Sequence, residues 1–597
     1  MPSASRISTA RLGYQSRSLD SQLGTRRSRR RHWAHRLRGG CSQSERCSNV
    51  PDVDATIVSS QLERARLSSP LSATHALSSS PKDPQMIRQC LSGVGGRVLL
   101  KRCLENASRF ADTREALVVK GWIRSRRIQG KGNLTFVHLS DGSCCDNLQV
   151  VFERGRCENY DKICEGIAGT GASIAVKGEI VPSFGSSKCN TTTTTTSTLT
   201  AAAGKCEGRS PTTRQQYELH AHSVEIIGGL LGDENNGDGS SALPKTLPYP
   251  LAKKRHSMEY LRTIAHLRPR SNLGGAVARV RSIVALHIHN FLQENGFRYV
   301  HTPIITKSDC EIMTKNISEA AAGGHERKIK KKTHFFGQAA YLTVSGQLNL
   351  EAYCCGIGDC YAFGPTFRAE NSHTGRHLAE FWMVEPEMAF ANMDQCLDLA
   401  VQLLQSVAKT VIERCPEEVQ FFAKFVDAKL PERLRTLAAG RVARITKFSE
   451  PIRWGMDLKT EHERFLAEDV FSSPLAITDY PKDLKAFYMR VNSEGDISSN
   501  RGSSNNTAGA VNKTTVAAFD ILMPGLGEVV GGSQREERLS VLRRRIEEVG
   551  LDEEQYGWSI PHSGFGVGFD RLVQVVTGVE NIRDVVPFPR VQGSIDF

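Results

Sequence analysis

The sequence predicts an α+β protein with a small N-terminal β module and a larger domain of mixed strands and helices. Two observations lead to this prediction. Between residues 117 and 228, apolar and polar side chains alternate in short runs, a pattern typical of strands. After a proline-punctuated segment at 244–250, apolar residues recur instead at helical spacing. The chain of 597 residues is also too long for one ordinary domain.

The β module contains five predicted strands separated by turns. Their sequences are LVVKGWI, NLTFVHLS, NLQVVFE, SIAVKGEIV and YELHAHSVEIIG. Five strands at this spacing favour an OB-type β barrel, which we place at residues 111–228. A threonine run inside residues 184–214 is of low complexity and predicts a disordered surface insertion.

The second domain is predicted at residues 266–597, after a hinge at 229–265. Its first helix, at about 275–294, carries six apolar residues at helical spacing, and Gly296 ends the pattern. Strands and helices alternate from there to the C-terminus. A segment rich in Ser, Asn and Gly at about 492–515 predicts a second disordered insertion.

The first 44 residues differ in composition from the rest of the chain. They contain ten arginines, no lysine and one acidic residue, Asp20. This composition is typical of a mitochondrial or plastid transit peptide, so we expect an organellar protein, with the cytosol left open as a second location. The alternative is a disordered basic arm that binds RNA. Residues 45–110 are rich in serine and weakly patterned, and they are predicted to be a linker.

The bulk composition limits the partners that the chain can have. The net charge of +13 favours an anionic partner without deciding between RNA and lipid. No run of about 18 apolar residues occurs, so we predict no transmembrane helix and no membrane partner. The 16 cysteines form no CxxC pair, and we expect most of them to be reduced packing residues.

Three segments of the second domain resemble the three signature motifs of class II aminoacyl-tRNA synthetases. They are the helix at 275–294 running into FRYVHTPIIT with Pro303, then FGPTFRAENSHTGRHLAEFWMVEPEMAF, and last GFGVGFDRLVQVVTG. Their order, with an OB module upstream, resembles the aspartyl, asparaginyl and lysyl subgroup. The resemblance covers about residues 117–597 apart from the insertions. It implies an antiparallel catalytic sheet of six or seven strands flanked by helices, and a homodimer built around the first motif.

The resemblance implies a reaction that needs cations rather than a general base. An amino-acid carboxylate, already ionised at neutral pH, attacks the α-phosphorus of ATP. In the family pattern Arg368 grips the α-phosphate and Arg571 the γ-phosphate, because a planar guanidinium binds phosphate oxygens bidentately. The other implied nucleotide contacts are Glu370 to the adenine amino group, Phe381 stacked on adenine, His377 to the β- or γ-phosphate, and Gly566 and Gly568 for close backbone approach.

Several of these residues also have a purely structural interpretation. An arginine beside a glutamate, as at Arg368, is often a surface salt bridge. Glu370 is otherwise a solvated side chain. Phe381 precedes three large apolar residues, as a core residue would.

Asp520 and Glu528 are the predicted metal ligands. They lie on either side of a predicted turn in FDILMPGLGE. Carboxylates joined with phosphate oxygens make a Mg²⁺ site, because this ion keeps several waters and needs only one or two protein ligands. Acids at the ends of two strands are the alternative.

The predicted amino-acid pocket favours asparagine over aspartate. Ser345 and Gln347, in a segment interpreted as a strand, would hold the backbone end of the substrate. Aspartyl enzymes place a lysine three residues after this glutamine, and here that position is Leu350. Arg535 would donate to the side-chain oxygen, and Glu385 would accept from the amide NH₂. An aspartate would lose the second bond and meet a like charge, and such pockets reject the wrong analogue by roughly 10⁴.

Three residues of the β module match family positions that touch the tRNA anticodon. Phe136 is placed on a predicted strand, where its ring would stack a base, and Arg124 and Gln149 are the polar candidates. A barrel-core phenylalanine and two surface polar residues are the alternative interpretation.

The expected activity is ATP- and Mg²⁺-dependent ligation of asparagine to tRNA(Asn) by a homodimer. An aspartyl or nondiscriminating enzyme is one alternative, and Leu350 and Glu385 argue against it. An inactive RNA-binding paralogue is another, and the presence of both arginines and both acids argues against it. A ligase that makes free asparagine on the same catalytic fold would lack the OB module.

Two segments depart from the family pattern. Residues 311–336 replace a Gly-rich segment that carries a glutamate for the substrate amino group, and Glu311 is the nearest candidate. The link between Tyr556 and Pro561, ahead of the third motif, is shorter than usual.

Overall fold

The computed structural model of the chain describes most residues between 96 and 595. The described residues are 96–183, 216–229, 249–251, 256–307, 335–336, 340–370, 372, 374–440, 442–445, 458–492, 514–550 and 560–595. The predicted transit peptide, most of the predicted linker and almost all of both predicted insertions lie outside them, as do Glu311 and Tyr556. Within this part of the chain, we find no helix with the length and hydropathy needed to span a bilayer.

Two short helices precede the β module, where a linker was predicted. They are α1 (Leu100–Glu105) and α2 (Ala107–Thr113). Leu100 and Phe110 are buried in the same core as the strands of the module, and the Asp141 carboxylate accepts a hydrogen bond from the Leu100 N–H at 2.9 Å. The linker prediction is therefore wrong for residues 100–110. Helices this short do not display a helical period in the sequence.

Five strands form the β module, as predicted. They are β1 (Leu117–Gln129), β2 (Leu134–Ser140), β3 (Leu148–Glu153), β4 (Ser173–Pro182) and β5 (Tyr217–Gly228), with α3 (Tyr160–Cys164) between β3 and β4. Strand β1 pairs with β2 and β4, β3 pairs with β2 and β5, and β4 pairs with β5, so that every strand has two hydrogen-bonded neighbours in a barrel.

A mixed sheet forms the centre of the second domain. In spatial order its strands are β11 (Ala443–Ile445), β12 (Leu475–Pro481), β13 (Thr515–Met523), β14 (Gly527–Gln534), β15 (His562–Gly568), β10 (Glu380–Ala389), β9 (Cys360–Phe367) and β6 (Arg298–Tyr299). The six strands from β12 to β9 are antiparallel, as predicted, and β11 and β6 each add a short parallel strand at an edge. The strands β7 (Ile305–Thr306) and β8 (Tyr341–Leu342) form a separate pair.

Helices cover the sheet and close its core. They are α4 (Met258–Thr263), α5 (Asn272–Glu294), α6 (Gln347–Ile357), α7 (Met393–Arg414), α8 (Pro416–Phe425), α9 (Leu430–Ala438), α10 (Thr460–Arg464), α11 (Leu539–Glu548) and α12 (Phe569–Thr577). Helix α5 is the helix predicted at 275–294, and its Val280, Val284 and Ile288 are fully buried. Helix α4 lies inside the predicted hinge and buries Leu261, so this part of the hinge is ordered structure.

The barrel meets the second domain through arginines at and near the start of α5. The Arg270 guanidinium lies 5.0 Å from the centroid of the Trp122 ring. Arg279 donates to the Gly142 carbonyl at 2.9 Å and to the Glu418 carboxylate at 2.7 Å. A cleft of about 1770 Å³ separates the two domains beside these contacts.

Candidate active site

Arg368 and Phe381 form one wall of the candidate site. Arg368 directly follows β9, and Phe381 lies in β10, which pairs with β9. The Arg368 guanidinium lies 5.4 Å from the centroid of the Phe381 ring. Phe381 is half-buried and packs against the edge of the core, so it is not a fully enclosed core residue.

Arg571 lies on the other side of β10 from Arg368, because β10 pairs with β9 on one side and with β15 on the other. It lies in the first turn of α12, directly after β15, and its Nη1 donates to the Glu528 carbonyl at 2.7 Å. A Cβ on Gly566 would meet the terminal methyl group of Met383 at 2.5 Å, so a side chain there would have to displace the end of this methionine. The atoms nearest to a Cβ on Gly568 would belong to the Arg571 side chain, at an ordinary contact distance of 3.7 Å. The predicted ligand contacts of both glycines stay predictions.

The predicted metal ligands, Asp520 and Glu528, lie together on the hairpin of β13 and β14. Burial and Asp520 raise the pKa of Glu528, and the charges of Arg571 and Arg368 oppose this rise. A Cβ on Gly531 would lie 3.0 Å from Glu528 Oε1 and 3.3 Å from Asp520 Oδ1. The two carboxylate oxygens therefore meet over a glycine, in a space that a side chain would fill. This donor set fits a small divalent cation that prefers oxygen ligands.

Two charged residues near this hairpin, Lys485 and Glu463, lie outside the three motifs. Lys485 Nζ lies 2.6 Å from Asp520 Oδ2. Glu463, on α10, is a third acid, and burial together with the charges of Glu528 and Asp520 raises its pKa to about 7. Both residues come from a segment between the second and third motifs, and only the fold brings them to the hairpin.

His377 and Glu370 lie together in the loop between β9 and β10. His377 Nε2 is 3.7 Å from Glu370 Oε2, and His377 Nδ1 is 2.6 Å from the Thr374 hydroxyl. Burial lowers the pKa of His377; Glu370 opposes this effect, and Arg571 and Arg376 reinforce it. The imidazole is therefore mostly neutral at pH 7 and suits a hydrogen bond better than an ion pair with phosphate.

Ser345 and Gln347 lie at the start of a helix, and the predicted strand is wrong. Helix α6 begins at Gln347, and the Gln347 N–H donates to Ser345 Oγ at 3.1 Å. The sequence misleads because Val344, Leu348 and Leu350 recur at even spacing, which also fits a strand. Leu350 itself is buried among Cys354, Cys360 and Ala362.

Glu385 is buried beside the start of α6. It accepts hydrogen bonds from the Ser345 hydroxyl and from the Gly346 N–H, the second at 3.1 Å. Burial raises its pKa, and these two donors oppose the effect. A Cβ on Gly346 would lie 2.6 Å from the Thr302 hydroxyl and 3.2 Å from a Glu385 oxygen, so only glycine fits here.

Arg535 sits within a buried ion network that the sequence did not indicate. Its Nη2 donates to Glu387, its Nη1 donates to Ser533 Oγ at 2.7 Å, and its Nε lies 3.5 Å from Glu351. Glu351 in turn lies 3.5 Å from His562 Nε2. Because Arg535 contacts both carboxylates, we interpret the cluster as an ion-pair network and not as a metal site.

The barrel places Phe136 and Gln149 on one face. They lie on the paired strands β2 and β3, where Gln149 is opposite His138, two residues after Phe136. The Arg127 guanidinium lies 5.3 Å from the centroid of the Phe136 ring. Gln149 Nε2 donates to the Glu218 carboxylate at 2.7 Å. Phe136 is half-buried and not a core residue of the barrel.

Arg124 lies apart from this face. Its guanidinium donates to the Arg270 carbonyl and, at 3.2 Å, to Asn272 Oδ1, so it joins the barrel to the second domain. A β-bulge at Arg124 breaks the alternation of β1. Arg127, three residues later, is the arginine that the structure brings to Phe136.

Pro303 is exposed between β6 and β7. Ile305, Tyr341 and Leu342, on the neighbouring pair of strands, are each more than half exposed. An uncovered apolar group of this kind commonly marks an interface.

Comparisons with known proteins agree with this architecture. A family model described as tRNA synthetases class II (D, K and N) matches residues 257–592, and a model described as OB-fold nucleic acid binding domain matches residues 117–227. The asparagine–tRNA ligase of Desulfotalea psychrophila is 44% identical over 500 residues, which cover 80% of this chain and 96% of the relative. That of Clostridium perfringens is 41% identical over 533 residues, which cover 84% and 99%.

A solved structure shows the same fold. The asparaginyl-tRNA synthetase of Pyrococcus horikoshii, complexed with asparaginyl-adenylate, matches with a TM-score of 0.60 and 25% identity. The match covers 80% of this chain and 95% of that protein.

Proposed function

Because the chain belongs to the class II tRNA synthetases of the D, K and N group, we propose that it activates asparagine with ATP and transfers it to tRNA(Asn). The observation that carries this proposal is the placement of Arg368 over the Phe381 ring and of Arg571 against the Glu528 carbonyl, on neighbouring strands of one sheet. Two cations, an aromatic platform and two acids on one sheet are what a nucleoside triphosphate with a bound metal requires.

The first step is attack of the asparagine carboxylate on the α-phosphorus. The carboxylate oxygen forms a bond to phosphorus, the bond to the bridging oxygen breaks, and pyrophosphate leaves. Arg368 neutralises charge on the α-phosphoryl oxygens, Phe381 fixes the adenine, and Arg571 holds the departing phosphates. His377 and Glu370 would contact the phosphates and the adenine amino group, respectively.

We assign the predicted metal to Mg²⁺ held by Asp520 and Glu528. When bound, such an ion neutralises charge on the phosphate oxygens as pyrophosphate departs. Support comes from the two oxygens that meet over Gly531. Family members use ATP with a divalent cation, and the choice of Mg²⁺ rests on the small, oxygen-only donor set.

The specificity for asparagine rests on Glu385 and Arg535. Glu385 still has lone pairs beyond the two bonds that it accepts, and these can accept from a substrate amide NH₂. Arg535, held by Glu387 and Glu351, would donate to the amide oxygen. Glu387 and Glu351 would also repel the side-chain carboxylate of an incoming aspartate, which disfavours that substrate. The comparisons do not favour the aspartyl or inactive alternatives.

Anticodon contact is assigned to the barrel face of Phe136 and Gln149. A half-exposed aromatic ring beside Arg127 suits a stacked base. We expect Phe136→Ala to lower kcat/KM for tRNA by roughly ten- to a hundredfold, from about 1–3 kcal/mol of stacking, with unchanged ATP–pyrophosphate exchange. Equal losses in both assays would contradict this assignment.

We propose a homodimer built around α5 and Pro303. The apolar side chains of β7 and β8 beside Pro303 are exposed in the single chain, and a second copy would cover them. Sedimentation equilibrium of the purified chain tests the proposal, and a monomer at micromolar concentration would refute it.

Organelle targeting is proposed from residues 1–44 alone. Their ten arginines and single acid are the support. Fusion of residues 1–90 to a fluorescent protein tests it: import into mitochondria or plastids supports the proposal, and a diffuse signal opposes it.

The function itself is tested by ATP–pyrophosphate exchange on the chain without residues 1–90. Exchange with asparagine, and charging of tRNA(Asn), are expected. Exchange driven by aspartate instead would refute the specificity, and exchange with neither amino acid would support an inactive paralogue.

A further inference from the structure

Lys485 lies between β12 and β13 in the chain and beside the predicted metal ligand Asp520 in space. It follows a 3₁₀ turn at Lys482–Leu484, and its Nζ is 2.6 Å from Asp520 Oδ2. The same ammonium lies 3.9 Å from the centroid of the Tyr480 ring. The Lys485 and Asp520 side chains are 19% and 14% exposed, so the pair is largely shielded from water. A cation held between a carboxylate and an aromatic face has a fixed position.

Asp520 uses its two oxygens for different partners. Oδ2 accepts from Lys485, while Oδ1 faces Glu528 Oε1 across the space over Gly531. The lysine thus holds one oxygen of the Asp520 carboxylate, and the other oxygen faces Glu528.

The charge of Lys485 acts on both predicted metal ligands. Its Nζ lies 2.6 Å from Asp520 Oδ2, and its charge also opposes the rise in the pKa of Glu528 that burial and Asp520 cause. Because the Lys485 charge partly offsets the negative charge of the acids, it weakens their attraction for a free divalent cation. A cation that is bound to a triphosphate is also held through the phosphates by Arg368 and Arg571, so its binding depends less on the acids.

We propose that Lys485 is a positioning residue that orients Asp520 and keeps the acid pair from binding a free divalent cation tightly, so that the metal enters with the nucleotide. This inference rests on the proposed metal–triphosphate site. It assigns to Lys485 a role toward the metal and not toward the substrates.

Binding of Mn²⁺ to the full chain without nucleotide, followed by electron paramagnetic resonance, tests the inference. Lys485→Gln removes the charge but keeps a donor for Asp520, and we expect it to bind Mn²⁺ at least roughly tenfold more tightly, because a unit positive charge a few ångströms from a divalent ion opposes binding by about that factor even at the dielectric constant of water, about 80. Lys485→Arg, which keeps the charge, should retain the wild-type affinity. An unchanged or weaker affinity in Lys485→Gln would overturn the inference.

Lys482→Gln is the matched control. Lys482 lies three residues earlier and pairs with Glu548 at 3.2 Å, away from the acid pair, so its loss should not change Mn²⁺ affinity. If Lys485→Gln does not fold, as judged by its melting curve, Lys485→Met takes its place with the same expected direction. The titration needs no catalytic activity, so it can be interpreted even if the wild-type chain shows no exchange and the proposed function fails.

Discussion

The proposed amino-acid pocket and the proposed triphosphate site lie on the same sheet, yet their charged side chains differ in burial. In the pocket, Glu385, Glu387 and Arg535 are at most 6% exposed and are bonded within the pocket. In the proposed triphosphate site, Arg368 and Arg571 are half-buried. On the proposed assignment, a neutral substrate is selected by buried donors and acceptors, and a polyanion is attracted by charges that water still reaches.

The largest expected effect comes from removing one arginine of the proposed triphosphate site. We expect Arg368→Ala to abolish ATP–pyrophosphate exchange, with kcat/KM lowered by roughly 10³ or more, because charge on the α-phosphoryl oxygens is no longer neutralised. The exposed Arg433, which pairs with Asp427, provides the control Arg433→Ala. Exchange at the wild-type rate in Arg368→Ala would mean that the α-phosphate binds elsewhere.

On the buried side, Glu385→Gln should change selectivity more than nucleotide use. The amide keeps an acceptor for the Ser345 and Gly346 donors but removes the negative charge that faces an incoming aspartate. The ratio of kcat/KM for asparagine over aspartate should fall by roughly 10², while KM for ATP changes little. A preserved ratio would show that Glu385 does not discriminate between the two amino acids.

Ionic strength should separate the two regions without any substitution. Raising it from about 0.05 M to about 0.3 M should increase KM for ATP roughly threefold or more, because exposed charges are screened. KM for asparagine, which depends on buried groups, should change by less than about twofold. Parallel changes in both constants would remove the distinction drawn here.

The smallest expected effect concerns the Glu351–His562 pair and its pH dependence. Burial opposes the charged form of Glu351, but His562 and Arg535 outweigh it and lower the pKa of Glu351 below its ordinary 4.5. Burial also opposes the charged form of His562, but Glu351 outweighs it and raises the pKa of His562 above 6.5. Stability from Glu351 is present above 4.5 and is lost as pH falls through its folded-state pKa. Stability from His562 is present below 6.5 and is lost as pH rises through its folded-state pKa.

The pair should therefore stabilise the fold most between these two ordinary values. The free energy of unfolding of His562→Gln should fall below that of the wild type by about 1–2 kcal/mol near pH 5.5, and by less at pH 8.5. Urea unfolding at the two pH values measures the difference. A difference that grows with pH would contradict the assigned ion pair.

The parts of the site that sequence could predict are those carried by contiguous motifs. Arg368, Phe381 and Arg571 each lie in an unbroken signature, and the fold brings them together. Lys485, Glu351 and His562 could not be predicted in this way. Their partners are distant in the sequence and come close only in the folded chain.

The failures of prediction also have physical causes. Two helices of six and seven residues at 100–113 are too short to show a period. Helix α6 was mistaken for a strand because its first apolar residues recur at even spacing. A β-bulge at Arg124 shifts the face of the later residues of β1, which pairs Arg127 with Phe136, and no local sequence pattern indicates this shift.

Gly531 lends itself to an experimental tool. One methyl group there would stand 3.0 Å and 3.3 Å from the oxygens of Glu528 and Asp520. Gly531→Ala should yield a chain that melts like the wild type and still captures its RNA, yet no longer responds to Mg–ATP in a fluorescence titration. A variant that does not bind Mg–ATP would allow RNA binding to be measured without amino-acid activation.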